Sequence, residues 1–201
     1  MRGKTLLIFS SHLLLLISCG HKKQAPDQPA VTVLQQPEAV IKTVKDTASN
    51  DKQNFRATFD AFRKAVKRNN IDSVKQYIHF PLQTALQWTN NDLESRPVDK
   101  SAGLVTYSEF KEYYPDIFHA DVRRLLPGTV ESELQEIDNQ TDEDYYKTLQ
   151  QVTDKGSKLF EAYLQYPERN GRSESFFAFV FGRINGHYKV VAYYAKWPVK
   201  G

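Results

Sequence analysis

The chain is predicted to fold as α+β, with N-terminal helices packed on an antiparallel sheet. Three local patterns predict it. Phe55, Phe59, Phe62 and Val66 recur at intervals of four, three and four residues, the apolar stripe of an amphipathic helix. Near the other end, Asn185-Gly186 separates two strand-like runs, 175–184 and 187–196, and this dipeptide is the preferred type I′ hairpin turn. Just upstream, residues 159–166 alternate, with Phe160, Ala162, Leu164 and Tyr166 on one side and Glu161 and Gln165 on the other. Helices followed by an antiparallel sheet is the α+β order.

The intervening elements follow from local chemistry. Asn69-Asn70 ends the first helix, and Ile71, Val74 and Ile78 space a second short helix that stops before Pro81. Thr106 and Glu109 have the spacing of a capping box. The helix it opens would bury Phe110, Tyr114 and Ile117, and Pro115 predicts a kink or a restart. Val122, Leu125 and Leu126 continue the apolar character until Pro127-Gly128 closes the segment. Residues 131–144 carry seven carboxylates and no base, but lack the alternating ligands and central glycine of a calcium loop. A helix explains more of this region: Thr141 and Asp144 cap it, acids fill its first turn, and Lys155-Gly156 end it.

A two-residue turn pairs Ile184 with His187, and alternation then fixes the rest of the hairpin. Phe177, Phe179 and Phe181 face Tyr194, Ala192 and Val190 on the side that should pack under the helices. On the other side Phe176, Val180, Val191 and Tyr193 form a second apolar cluster. An apolar outer face asks for a partner, a ligand or a cover. This cluster is therefore a candidate face for self-association or an envelope protein, unless residues 82–89 or the segment before the helices cover it.

The first residues have a different character. Basic Arg2 and Lys4 precede an apolar stretch from Leu6 to Ile17, ending in Leu16-Ile17-Ser18-Cys19. The stretch falls short of the roughly 20 apolar residues of a membrane-spanning helix and is interrupted by Ser10, Ser11 and His12. Its layout is that of a secretory signal, and its end resembles a bacterial lipobox. That resemblance implies cleavage before Cys19, diacylation of its sulfur, and a lipid anchor in the membrane. Gly20 stands where aspartate would mark inner-membrane retention, which points to the outer membrane, facing the periplasm. Pro26, Pro29 and Pro37 then punctuate a polar stretch that reads as a tether. About 30 such residues span on the order of 30 Å. The expected organisation is a signal peptide over 1–18, a lipidated tether over 19–53 and a single domain over 54–199.

Composition narrows the function. The 27 Lys and Arg against 24 Asp and Glu leave little basic excess once the leader is removed, which argues against nucleic acid as a partner. Arg56, Arg63, Lys64, Lys67 and Arg68 give the first helix a basic face, for anionic lipid or simply for solvent. Cys19 is the only cysteine, so stability rests on a hydrophobic core, for which 12 Phe and 11 Tyr supply ample area. Neither a cofactor motif nor a metal-ligand pattern stands out.

The order of elements resembles the nuclear transport factor 2-like (cystatin-like cone) superfamily. Its carriers are the opening helices over 55–77, Phe80-Pro81-Leu82 leading into a first strand, a third helix over 107–118, and the closing hairpin over 176–197. The acidic strip over 131–156 looks like an insertion. The resemblance implies helices on a curved antiparallel sheet with a pocket opening at one end. Tyr77 and His79 before the first strand, and Tyr188 with Phe177, Phe179 and Phe181, are the candidate pocket residues. Fold alone does not choose a function. The expectation is a non-enzymatic binding or scaffold module, taking a small apolar ligand or a protein partner. Alternatives are a small pocket enzyme acting on an apolar metabolite, or an envelope inhibitor or immunity-type protein.

Overall fold

In the computed structural model the phenylalanine stripe lies on one face of helix α1 (Glu38–Lys67) and is buried. The structure describes residues 38–168, 171 and 173–200, with side chains from residue 50 onward. Cys19, the leader and the first part of the expected tether lie outside the described residues. α1 reaches back to Glu38, so the stretch expected to be tether up to residue 53 is helical over its last part. Phe55 stacks on Phe160 with ring centroids 4.3 Å apart, while Phe59 and Phe62 meet Phe181 edge-on at 5.8 and 5.5 Å. Asn69 takes a positive φ of 50° and ends the helix. Asn70 then caps α2 (Ile71–Lys75), its side chain accepting from the Ser73 N–H at 2.8 Å.

Ile78 belongs to strand β1 (Ile78–Gln83), a correction to its expected place in the second helix. The Val190 N–H donates to the Tyr77 carbonyl at 2.8 Å and draws the chain into the sheet. Pro81 has no N–H to give, and the ladder is irregular between Ile78↔Val190 and Gln83↔Ala192. The short helix α3 (Asn90–Ser95), capped reciprocally by Thr89 and Asp92, leads to β2 (Leu104–Val105). The Thr106–Glu109 box forms one turn ahead of α4 (Phe110–Ile117), with the Thr106 N–H donating to Glu109 at 2.9 Å. Phe110, Tyr114 and Ile117 are buried as expected, and after Pro115 the chain restarts as α5 (Ala120–Leu125).

The acidic strip holds a strand that its composition hides, β3 (Leu134–Ile137). Helix α6 (Asp144–Gln150) follows but stops well short of Lys155-Gly156. The reason is tertiary. Asp154 leaves the helical path to accept the Asn185 and Gly186 N–H groups, both at 2.8 Å, and so caps the hairpin turn.

Strands β4 (Leu159–Pro167), β5 (Glu174–Ile184) and β6 (His187–Ala195) complete a six-stranded sheet of order β2-β1-β6-β5-β4-β3. All neighbours are antiparallel except β1 and β6, which run parallel, so the sheet is mixed. Asn185 and Gly186 have φ of 51° and 81°, the two positive values a type I′ turn demands. From Ile184↔His187 to Phe181↔Val190 the register is the expected one. It then slips by one residue, pairing Val180 with Ala192 and Phe179 with Tyr193. Val191 is the extra residue of this β-bulge, and beyond it every β6 side chain changes face. Tyr193 consequently joins Phe177, Phe179 and Phe181 under the helices, while Ala192 and Tyr194 turn to the opposite side.

That opposite side is covered by the chain itself. Trp88, Tyr145 and Leu149 pack with Leu159, Ala178, Val180 and Val191 into a second core. Trp88 meets the Tyr145 ring edge-on at 4.8 Å and donates to Asp144 at 3.0 Å.

Candidate functional site

The residues expected to line a cone pocket fill the interior. Phe177, Phe179 and Phe181 are fully buried, and Phe179 packs against Phe62 and Phe118 with centroids 5.4 and 5.5 Å apart. Tyr188 meets Phe55 and Phe160 edge-on at 5.9 and 5.6 Å, and burial pushes its hydroxyl pKa up. Tyr77 packs against Phe62 at 6.2 Å. His79 is half-buried, and desolvation, helped by the Lys189 charge, holds its imidazole below the ordinary value. Of the expected partner face, Phe176, Val180 and Val191 lie together on the α6 side, whereas the bulge separates Tyr193 from them.

A carboxylate is buried in the second core. Glu161, on the side of β4 opposite Phe160 and Ala162, is only 5% exposed. It accepts from the hydroxyls of Tyr146 and Tyr194 at 3.0 and 2.8 Å, and Gln87 donates to the Tyr146 oxygen at 3.2 Å. Burial raises its pKa while the two phenols oppose the shift. This cluster pins α6 to the sheet.

The strand ends opposite the hairpin turn leave a cleft of about 290 Å³. Its polar wall consists of Asp116 and His119 from the α4–α5 junction, Tyr166 from β4, Ser175 from β5 and Tyr193 from β6. Phe176 and Trp197 supply apolar surface, and Trp197 stands 72% exposed at the mouth. The His119 ring lies 6.1 Å from Phe177 and 6.4 Å from Tyr166, between centroids. Burial lowers the His119 pKa, which favours neutral imidazole; Asp121 and Asp116 work against that and Arg123 with it. Burial also pushes up the Tyr193 pKa, with Tyr166 and Asp116 adding to the effect.

Among the described residues, no hydrogen bond or ion pair ties the side chains of these five polar residues to the protein. Tyr193 is only 1% exposed as a residue, and it lines the cleft from the helix side of the sheet. A second groove, of about 320 Å³ between Trp88 and Val98, differs in this respect. There Asp99 is engaged by Ser101, Gln87 by Tyr146 and Lys200 by Glu109. Of these two, the strand-end cleft presents the set of convergent, unengaged donors and acceptors, the usual mark of a small-molecule site.

Asp116, His119, Tyr166, Ser175 and Trp197 were not singled out from sequence, because they come from four separate elements and the tail beyond β6. Pro115 lies inside α4, which runs on through Asp116 to Ile117, so the proline signal does not by itself locate these residues. Comparison with protein-family models and with curated proteins found no match for this chain.

Proposed function

We propose that this chain is a non-enzymatic binding module of the bacterial cell envelope, anchored by acyl groups on Cys19 and using the strand-end cleft as its ligand site. The observation that carries the binding reading is the set of unengaged polar side chains around one cleft, with Tyr193, whose ring is buried in the core, among them. Two features redirect the original expectation. The aromatic packing between the helices and the sheet leaves the three phenylalanines to stability, and α6 with Trp88 takes up the second face. The binding role therefore moves to the end of the sheet. Anchoring rests on the leader pattern ending at Cys19, and the outer membrane, periplasmic side, on Gly20 after it.

The two parts are tested separately. Metabolic labelling with palmitate should mark the wild-type chain and not Cys19→Ala; equal labelling of both would overturn the anchor. For the cleft, ligand-observed NMR of the full chain against ring-bearing fragments should give hits that Asp116→Asn or Trp197→Ala weakens. Both positions are exposed, so the fold should tolerate the changes. Hits that ignore both substitutions would remove the cleft from the account.

A further inference from the structure

We propose that the strand-end cleft takes a neutral, hydroxyl-rich ring, a saccharide residue, edge-on to its polar wall with one face against Trp197. The inference rests on the cleft being the binding site, as above, and names the ligand class.

The donor and acceptor inventory selects it. Among the described residues that line the cleft the one ammonium, Lys196, is already held by Glu168 at 2.8 Å and by the Glu174 carbonyl at 3.2 Å, so an anionic ligand finds no free cation among them. A cationic ligand would suit the Asp116 carboxylate and the aromatic rings. It would leave the hydroxyl protons of Tyr166, Ser175 and Tyr193 to water, whereas a ligand with its own hydroxyls engages them directly. Imidazole, phenol and alcohol groups each both donate and accept, while a carboxylate only accepts. A sugar ring matches that mixture, because every hydroxyl on its rim does both.

The apolar part fits as well. The two faces of a pyranose are largely C–H, and an aromatic ring offers them a flat contact area. Trp197 is positioned for this, exposed at the mouth beside Phe176. A volume of about 290 Å³ lies at the lower edge of small-molecule pockets, roughly 300–1,000 Å³, so the cleft suits one ring with any further residues outside. A chain of sugars could then run past Trp197 into solvent. For a module anchored in an envelope built largely of glycans, that ligand is within reach.

The test is titration of the full chain, in a polyoxyethylene detergent free of sugar and ammonium groups, by saturation-transfer NMR and calorimetry. The probes are glucose, N-acetylglucosamine and its β-1,4 dimer, with tetramethylammonium, inorganic phosphate and indole as representatives of the competing classes. At least one saccharide should bind, with an affinity lowered about tenfold by Trp197→Ala and severalfold by Asp116→Asn and by Tyr193→Phe. If Tyr193→Phe fails to fold, the two exposed substitutions decide. Binding of tetramethylammonium, phosphate or indole in the cleft, with no response to any saccharide at about 10 mM, would sink the saccharide assignment while leaving the binding module intact. Silence from every class would sink both.

Discussion

Replacing Arg183 with methionine should cost about 3 kcal/mol of folding stability, because it strands a buried carboxylate. Asp51 on α1 has a side chain only 4% exposed, and Arg183 on β5, 18% exposed, is its ion-pair partner. Arg183 also reaches Asp154 at 3.4 Å, the carboxylate that caps the hairpin turn. Breaking one side of a buried pair typically costs 3–5 kcal/mol, since the remaining charge keeps its desolvation penalty without its counter-charge. The Tyr188 hydroxyl lies close to Asp51 and offers partial relief, which places the expected loss at the lower end. Asp154 is more exposed and adds little. In urea, with a slope of about 1.5–2 kcal/mol/M, that loss moves the unfolding midpoint down by about 1.5–2 M. The double variant Asp51→Leu with Arg183→Met should recover most of the loss, as buried pairs replaced by apolar residues often do. A single variant losing under about 1 kcal/mol, or a double variant as weak as the single, would refute the claim that this pair is the unit of stabilisation.

Other outcomes follow from local geometry. Gly103→Ala should destabilise by more than about 3 kcal/mol, because φ is +75° there and a Cβ would sit 2.4 Å from the Ala85 backbone nitrogen. Gly186→Ala, with positive φ but open space around it, should cost only about 1 kcal/mol by the same urea assay. Glu161 has a folded-state pKa raised by burial. Its favourable contribution is therefore complete below the unfolded value of about 4.5 and is lost as pH rises through the folded one. Glu161→Gln keeps an acceptor for both tyrosines and should remove that fall in stability as pH rises above 4.5. Parallel pH profiles for variant and wild type would count against a buried, proton-linked carboxyl.

What was legible in the sequence was local. The stripe of Phe55, Phe59 and Phe62 needs only helical periodicity, and Asn185-Gly186 needs only the left-handed tolerance of its two residues. Thr106 and Glu109 meet across a single turn. The bulge was not legible, because Val190-Val191-Ala192-Tyr193-Tyr194 is apolar throughout. With both faces of the sheet buried, alternation carries no information about which residue points where. β3 was hidden because Leu134-Gln135-Glu136-Ile137 is short and sits among acids; Lys158 pairs with Glu136 and Arg56 with Glu131 from distant elements. Glu161 followed the polar side of an alternating strand, yet two tyrosines from elsewhere make its burial tolerable. Each miss is a case of tertiary partners overriding a local pattern.

The bulge at Val191 ties the fold to the candidate site. Without it, Tyr193 would point toward α6 and Ala192 would take the place under the helices. With it, the phenol lies on the helix side at the strand end, beside the junction between α4 and α5. Bulges often re-aim a side chain at functional positions, and this one brings Tyr193 against Asp116, His119 and Tyr166. Among the described residues both faces of the sheet are covered by the chain itself, which leaves the strand ends as the approach that the proposed site uses. The one-residue slip therefore does more than adjust packing: it sets the Tyr193 ring in the core beside the cleft, and reading the register off the turn alone would have put that ring on the wrong side of the protein.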